Sequence, residues 1–576
     1  MQLRSDAKWS DGEPFTIDDI RFAWEDINLN EEINSNVDPA YRDAVTGNTV
    51  KFEVIDDQTW TLTYDSPNFT LFDGKLGRGM TCSGRRGFCW FAPKHYLSQF
   101  HLTYTDEETL NKRAETLAVQ TWVDVWWQKS QVDLANAQGP STDLPSNGIP
   151  DGLPCMGAWC MKGKHTDVAG TLTRNHFFVG VDPEGNQLPY TDELTMDRFE
   201  SRDVAVFRSL NGETDAYTTA FKLQEMPLYI SSMEKGDFSL EHWPATGGND
   251  AALNLNQTWN EDPVIGELLR TTDFRRALSF ATDRNAINDA VFLGLGTPQA
   301  WVPHPSTVYY PGDEYANLDI NYDPAKANQL LDSIGLTEKD SQGFRLRSDG
   351  KGRLSFSADV NPDEGVDVLE FMKQQWADVG IELNYNAITA AHVPIRANEA
   401  YMMLSIDHSA YQQNPWAVTW NRLAPLTGGV HMAPLIGKWY ETKGEQGMAP
   451  GPDPSYLPLA PPNTYAADPT GLLQKLQQLW DEGRGFAMNS PERIRIGKEI
   501  YRIHAEQKFD IPTLAYTGSR RGVMLHRNNF RNVPETHIRD QFGFWRETYY
   551  FEDGSDNAHH PGYRSTLYSS TSFLDR

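Results

Sequence analysis

The sequence predicts an α/β protein built from more than one domain. Its 576 residues exceed what a single hydrophobic core normally organises, so two or three domains are expected. From Thr272 onward, stretches with helical spacing of apolar residues alternate with short stretches in which every second residue is apolar. Such alternation of helices with strands is typical of α/β layers. Hydrophobic residues make up 39% and charged residues 23%, as in ordinary globular proteins.

The first half of the chain begins with a helix signal and a hairpin signal. Thr16 and Asp19 form a capping-box pattern ahead of an apolar helical face. Residues 50–64 alternate twice around a polar break, which predicts a hairpin. A longer helix is predicted over 107–129, followed by a loop rich in Pro, Gly and Ser over 139–154.

The second half carries clear helix and strand boundaries. Asp283 and Asp323 are placed to cap helices, because a short carboxylate can accept a hydrogen bond from the first turn. Strands are predicted over 354–360 and 381–385. The Pro- and Gly-rich stretch 443–469 is too long for an ordinary connection and is interpreted as a surface insertion.

The charge balance excludes some partners. The chain has 51 Lys and Arg against 79 Asp and Glu, a formal net charge of −28. Nucleic acid and anionic membrane surfaces both require a cationic face, so neither is expected as a partner. The acidity fits solubility, with an acidic cleft for a cationic ligand as the alternative. No apolar run is long enough to predict a transmembrane helix.

Four cysteines occur as two close pairs, Cys82 with Cys89 and Cys155 with Cys160. Neither spacing is that of a zinc site or a thioredoxin-like motif. An even number fits disulfides in an oxidising compartment. Each pair could close its own loop, the two segments could be cross-linked, or all four could be buried thiols.

Catalytic signatures are missing from the sequence. It has no Gly-x-Ser-x-Gly elbow, no His-Glu-x-x-His and no phosphate loop. Gly294 and Gly296 are followed by Gln299, where a dinucleotide-binding loop would have its third glycine. The pair His559-His560 in the tail is more typical of solvated histidines than of a metal site. We therefore predict no catalytic residue, no cofactor and no metal.

Aromatic residues indicate the ligand class. The chain has 17 Trp, 23 Tyr and 27 Phe, and several lie among short amides and carboxylates. An indole covers the apolar face of a sugar, while amides and carboxylates satisfy its hydroxyls, so such segments suit oligosaccharides. The candidate ligand-binding residues are Asn256, Trp259, Asp407, Tyr411, Trp416 and Trp420. The alternatives are core packing for each tryptophan and loop capping for Asp407.

Three stretches carry a resemblance to a known family. They are residues 3–20, LRSDAKWSDGEPFTIDDI; residues 272–298, which run from TDFRRALSFATDR to GLGTP; and residues 322–335, YDPAKANQLLDSIG. In this order and at these separations they resemble the extracytoplasmic solute-binding proteins of peptide and oligosaccharide ABC transporters, solute-binding family 5. The resemblance implies a type II periplasmic-binding-protein-like clamshell with two large lobes and a small extra domain.

The resemblance also implies domain limits. Residues 1–187 would form the small extra domain, 188–265 and 514–576 the first large lobe with the C-terminal tail, and 266–513 the second large lobe. The ligand would lie between the large lobes, with hinges near Asn256 and Ile511. In the family, a strand and more chain precede the segment that begins at Leu3. We therefore expect an export signal and the first strand to be missing from this sequence, the alternative being a cytosolic protein.

The implied function is capture of a ligand for a membrane permease. We expect an oligosaccharide ligand, with an oligopeptide as the alternative and a carbohydrate-active hydrolase as a more remote one. In the peptide-binding branch of the family an Asp in the region of Asp407 pairs with the peptide's amino terminus, but the Asp-Pro that follows there is replaced here by Asn414-Pro415. We expect a monomer that is not an enzyme, in a periplasmic or extracellular location, with or without a lipid anchor.

Overall fold

A computed structural model describes most of the chain. The described residues are 1–34, 37–71, 91–130, 153–162, 169–197, 201–217, 223–243, 250–362, 365–389, 392–407, 414–416, 422–448, 468, 470–517, 523–535 and 548–552. Within them, no helix is both long enough and apolar enough to cross a membrane.

Helices and strands are mixed along the whole chain. The α-helices are α1 Ile17–Arg21, α2 Lys94–Leu97, α3 Glu107–Leu117, α4 Trp122–Ser130, α5 Arg202–Leu210, α6 Met226–Gly236, α7 Pro263–Arg270, α8 Thr272–Phe280, α9 Arg284–Val291, α10 Asp313–Ala316, α11 Pro324–Ser333, α12 Val366–Asp378, α13 His392–Asn398, α14 Pro434–Glu441, α15 Leu472–Arg484 and α16 Pro491–Gln507. The strands are β1 Lys51–Val54, β2 Trp60–Thr63, β3 Trp159–Lys162, β4 Ala169–Arg174, β5 Glu193–Asp197, β6 Ala216–Tyr217, β7 Phe238–His242, β8 Ala252–Leu255, β9 Thr297–Pro298, β10 Ser355–Val360, β11 Glu382–Ala387, β12 Leu404–Asp407, β13 Asp510–Pro512, β14 Leu514–Ala515, β15 Val523–Arg527, β16 Phe530–Arg531 and β17 Tyr550–Phe551. A π-helix, Phe22–Asn28, continues α1.

A five-stranded sheet organises the second half of the chain. Its order is β11-β10-β12-β8-β13, with β11, β10 and β12 parallel and with β8 antiparallel to both β12 and β13. Parallel neighbours need a crossover connection, and α12 supplies it between β10 and β11. The predicted strands over 354–360 and 381–385 are confirmed.

β8 lies next to the crossover that the resemblance implies near Asn256. Residues 188–265 were expected in the first large lobe, with a crossover near Asn256. β8 itself is fully buried between β12 and β13, so residues from Ala252 onward belong to the five-stranded sheet. Pairing between residues so far apart in sequence leaves no local signal in β8. The domain limits themselves stay predictions.

The two faces of the five-stranded sheet cover two different cores. Leu253 and Leu255 of β8 point into an extensive core formed with α7, α8, α9, α11 and α12. Ala252 points the other way, into a core formed mainly by α14, α15 and α16. Alternate residues of a strand face opposite sides, so one short strand contributes to both cores.

Smaller sheets complete the architecture. β15 lies between β6 and β7, so the chain returns after β13 and β14 to pair with residues 216–242. β1 and β2 form the predicted antiparallel hairpin, and β3, β4 and β5 form an antiparallel sheet. The helix predicted over 107–129 is two helices, because Ala118 adopts a left-handed conformation (φ 56°) that ends α3.

Local capping explains where several helices begin. The Thr16 amide donates to Asp19 Oδ2 (2.9 Å) in the predicted capping box. Asp283 accepts from the Ala286 amide (3.0 Å) and Asp323 from the Lys326 amide (2.9 Å). These confirm the caps predicted from sequence, because each depends only on a short carboxylate next to its own first turn.

The described cysteines form a disulfide. Cys155 and Cys160 are bonded, with 5.9 Å between their Cα atoms. This pair therefore closes its own loop, which was one of the three alternatives. Cys82 and Cys89 lie outside the described residues, as does most of the predicted insertion at 443–469.

Candidate ligand-binding site

The carboxyl ends of three parallel strands bring polar residues to one edge of the five-stranded sheet. Asp359 is the last but one residue of β10, Asn386 the last but one of β11, and Asp407 the last of β12. Since these strands run in the same direction, their ends meet at the same edge. In open α/β sheets, ligands bind in the crevice outside this edge, so we treat it as the candidate site.

A row of five polar residues crosses the sheet just inside this edge. Successive register partners across all five strands are Asn386, Asp359, Ser405, Asn254 and Asp510. Directly paired residues project to the same face, so these side chains form one continuous row, called here the transverse polar row. All except Asn386 are buried. Buried strands are normally apolar, so the row calls for partners that satisfy it.

On the β10 side of the row, an ion pair satisfies the buried carboxylate. Arg396 of α13 donates from Nε to Asp359 Oδ2 (2.6 Å), and Asn386 Nδ2 donates to Asp359 Oδ1 (3.1 Å). The Asp359 side chain is 3% exposed and the Arg396 side chain 35%. A carboxylate held inside the protein therefore positions a guanidinium that remains partly open to solvent.

On the β8 side of the row, acceptors outnumber donors. Asn254 Nδ2 donates to the Ser405 carbonyl (3.0 Å), and Ser405 Oγ lies 3.0 Å from His431 Nδ1. Across the described residues, Asn254 Oδ1 and both Asp510 carboxyl oxygens have no hydrogen-bond partner. Burial raises the pKa of Asp510 to about 7, although the charges of Arg422 and Arg275 act in the opposite direction.

Both polar atoms of the Asn256 side chain are hydrogen-bonded within the protein. Its Oδ1 accepts from the Thr258 amide (2.9 Å) and the Thr258 hydroxyl (2.8 Å), while Nδ2 donates to the Met402 carbonyl (2.9 Å). These bonds fix the turn that follows β8. A direct role of Asn256 in ligand binding stays a prediction.

The predicted tryptophans that are described lie inside cores. Trp259 is buried in the core with α7 and α8, and Trp416 is buried in the core with α14 to α16. Trp416 Nε1 donates to the Trp480 carbonyl (2.8 Å). Packing was the stated alternative for each of them, and contact with a ligand stays a prediction.

The other predicted residues are less fully described. The Asp407 backbone pairs with Ala252 at the end of β12, which brings this residue to the candidate edge. Tyr411 and Trp420 lie outside the described residues. Asp407 thus lies at the strand end that we treat as the candidate site, and its contact with a ligand stays a prediction.

Sequence reasoning missed the pair of Asp359 and Arg396. The two residues are 37 positions apart, and their contact depends on α13 returning over the end of β10. A signal did exist, because Asp359 is a carboxylate near the end of β10, where it follows Ser355 and Ser357 at the alternate positions of the strand. Its partner could not be found without the fold.

A second polar cluster joins the N-terminal region to α14 and α15. Arg484 Nη2 donates to the Ala40 carbonyl (3.2 Å) and to the Arg42 carbonyl, and its own carbonyl accepts from the Phe69 amide (2.8 Å). Arg42 Nη1 donates to the Glu441 carbonyl. We call these contacts the N-terminal clasp.

Carboxyl groups beside the clasp are strongly desolvated. Tyr440 Oη donates to Asp481 Oδ1 (2.6 Å), and Asp481 lies 3.6 Å from Arg484 Nη1. Burial raises the pKa of Asp481 to about 6, while Tyr440 and Arg484 favour its charged form. Burial also raises the pKa of Glu441.

Most of the chain matches a known protein family. Residues 1–427 match the family described as "Bacterial extracellular solute-binding proteins, family 5 Middle". This covers well over half of the chain. The chain belongs to the family 5 extracellular solute-binding proteins. The resemblance seen in the sequence is thereby confirmed, and members of this family are periplasmic or extracellular binding proteins.

Two curated relatives of this family 5 protein bind different ligands. It is 27% identical over 419 residues to the periplasmic alpha-galactoside-binding protein of Rhizobium meliloti (strain 1021), covering 67% of this chain and 52% of that relative. It is 23% identical over 410 residues to the oligopeptide-binding protein OppA of Lactococcus lactis subsp. lactis, covering 67% of this chain and 58% of that relative. The chain thus spans little more than half the length of these relatives.

Solved structures confirm the fold. An oligopeptide-binding protein OppA superimposes with a TM-score of 0.61 and 26% identity, covering 96% of this chain and 82% of the other. The periplasmic binding protein MelB from Agrobacterium fabrum C58, in complex with stachyose, gives 0.67 and 19%, covering 98% and 76%. The predicted type II periplasmic-binding-protein fold is therefore correct.

Proposed function

We propose that this family 5 protein is the substrate-binding component of an ABC importer and that its ligand is an oligosaccharide. The observation that carries the proposal is the similarity to an alpha-galactoside-binding protein over 419 residues. The fold of a stachyose-bound protein, matched over 98% of this chain, supports the same ligand class.

The candidate edge suits a hydroxyl-rich ligand. Sugar hydroxyls both donate and accept hydrogen bonds, so a site for them needs donors beside acceptors. The edge offers the Arg396 guanidinium, the Asn386 amide and the end of β12 at Asp407. Closure of two lobes over the ligand would remove water and strengthen each of these bonds.

The protein would bind its ligand without transforming it, act as a monomer outside the cytoplasm, and deliver the ligand to a membrane permease. Family membership supports the binding and transport roles. In a thermal-shift screen, stachyose and related α-galactosides should raise the melting temperature, since a ligand at about 100 times its Kd adds roughly 2.7 kcal/mol to stability. Chromatography of the recovered sugar should show it intact. Shortened products would indicate a hydrolase, and no shift with any oligosaccharide would contradict the proposal.

An oligopeptide receptor is the second candidate. The OppA structure at 26% identity favours it, as does a carboxylate residue at the end of β12. The same screen with short free-amine peptides separates the two, because a stabilising peptide combined with inert oligosaccharides would select the peptide function.

A further inference from the structure

Arg396 presents unused hydrogen-bond donors at the candidate edge. Its Nε is committed to Asp359 (2.6 Å), and no other described residue accepts a hydrogen bond from its side chain. Guanidinium carries five N–H donors in a planar fork, so the outer nitrogens Nη1 and Nη2 have no acceptor among the described residues. Asp359 holds the Arg396 side chain in place, and 35% of that side chain remains exposed to solvent.

The pairing with Asp359 also determines which ligand Arg396 suits. The Asp359 carboxylate is 3% exposed and cancels the guanidinium charge at close range. Asp407 ends the neighbouring strand β12, and the whole chain carries a net charge of −28. A ligand carboxylate would gain little from a neutralised arginine, and the net negative charge of the chain would repel it. Two adjacent hydroxyls of a neutral sugar match the spacing of the fork without that repulsion.

We propose that Arg396, held by Asp359, is a ligand-contacting residue that donates two parallel hydrogen bonds to adjacent hydroxyls of an uncharged sugar. This inference rests on the proposed function, and it deepens that function by assigning a residue and by separating neutral from acidic oligosaccharides. Lysine cannot replace the fork, because its ammonium is a single point of donation.

Arg353, which precedes β10 by two residues, provides a matched control. It is 31% exposed and pairs with two acids, Asp340 and Glu382. Glu382 is the first residue of β11, so Arg353 lies at the amino ends of the parallel strands, opposite the candidate edge. A variant of Arg353 loses a comparable ion pair without touching the proposed contact.

The test is calorimetric titration of the wild-type protein, Arg396→Met, Arg396→Lys and Arg353→Met with stachyose and with trigalacturonate. Melting curves establish that each variant is folded, and the lysine variant serves if the methionine variant is not. We expect stachyose to bind more tightly than trigalacturonate. We expect Arg396→Met to weaken stachyose on the order of 10- to 100-fold, Arg396→Lys nearly as much, and Arg353→Met less than about threefold.

Three other outcomes would overturn the Arg396 contact, the neutral ligand class or the proposed function. Stachyose affinity unchanged in both folded Arg396 variants removes Arg396 from the site but leaves the proposed function intact. Tighter binding of trigalacturonate, lost in Arg396→Met, replaces the neutral ligand class with an acidic one. Wild-type protein that binds neither of these sugars nor any oligosaccharide of the thermal-shift screen refutes the proposed function and this inference with it.

Discussion

At the scale of single residues, Trp416 is held by several different contacts. Its indole N–H donates to the Trp480 carbonyl, the Arg493 guanidinium lies 4.5 Å from the ring centroid, and Tyr309 packs edge-on at 5.6 Å. The ring also passes so close to Gly483 that a Cβ there would overlap it. These contacts give Trp416 a defined packing role beside the segment predicted to bind ligand.

Removing this ring should destabilise the protein. Trp416→Ala is expected to lower the free energy of unfolding by about 3–5 kcal/mol, because a large buried ring leaves a cavity. Trp416→Phe should cost less, since it keeps much of the volume and loses the hydrogen bond to Trp480. Urea unfolding checks both. A loss below about 1 kcal/mol, accompanied by weaker sugar binding, would instead identify Trp416 as a ligand contact.

Asp407 separates the two ligand classes at the level of one residue. If the ligand is a sugar, Asp407→Asn should cost about 1.5–3 kcal/mol of binding free energy, because an amide still donates and accepts. If a peptide amine pairs with it, the loss should be about 2–5 kcal/mol, and acetylating the peptide should have the same effect. Calorimetric titration measures either. We expect the sugar result. Tight binding of a free-amine peptide that disappears on acetylation and in Asp407→Asn would refute it.

At the scale of elements, the transverse polar row is the unusual feature of the five-stranded sheet. Its β8 and β13 members contribute the unpaired oxygens of Asn254 and Asp510 among the described residues. Since the pKa of Asp510 is raised to about 7, the folded protein favours the protonated acid. A protonated Asp510 carries an O–H donor, and its register partner Asn254 carries the unpaired acceptor Oδ1.

This arrangement gives stability a definite pH dependence. An unfolded aspartate titrates near pH 3.9, so the stabilising contribution of Asp510 is fully present below that value and is lost as the pH rises through about 7. Asp510→Asn should remove this part of the decline and exceed the wild type above pH 7 by about 1–3 kcal/mol. Urea unfolding from pH 4 to 8 tests this, with Asp57→Asn, an exposed carboxylate, as control. Equal slopes for the wild type and Asp510→Asn would contradict it.

Local elements could be predicted from sequence and long-range register could not. The caps at Asp283 and Asp323 depend on residues within one turn, so their patterns are sufficient. The hairpin of β1 and β2 also lies within a short segment. By contrast, the polar row joins residues between 254 and 510, and only the strand order brings them together. The same holds for Arg396 and Asp359, which is why aromatic segments drew the sequence-based site towards Trp259 and Trp416.

At the scale of the whole molecule, the N-terminal clasp joins parts of the chain more than 390 residues apart. Arg484 is only 1% exposed and donates to two backbone carbonyls of the N-terminal region. The Ala40 carbonyl also accepts from the Tyr64 hydroxyl (2.8 Å), so it is the Arg42 carbonyl that loses this donor when Arg484 is removed, at a cost of about 1–3 kcal/mol. The clasp therefore restrains the N-terminal region against α14 and α15.

Loss of the clasp should loosen this contact specifically. In Arg484→Met, backbone amides of residues 37–71 and 470–484 should exchange with deuterium faster, and the Phe69 amide, which donates to the Arg484 carbonyl, should be among them. Arg495→Met is the control. Arg495 is exposed on α16 and pairs with Glu482 of α15, the helix that also carries Arg484. Exchange rates unchanged from the wild type would show that the clasp does not restrain the two regions.

We propose that this family 5 protein captures a neutral oligosaccharide between two lobes and leaves it chemically intact. Small-angle X-ray scattering of the full chain, with and without saturating stachyose, tests this most directly, because lobe closure reduces the radius of gyration. We expect a measurable decrease with stachyose, none with a free-amine nonapeptide, and unchanged sugar recovered afterwards. A decrease produced by the peptide but not by stachyose, or recovery of cleaved sugar, would contradict it.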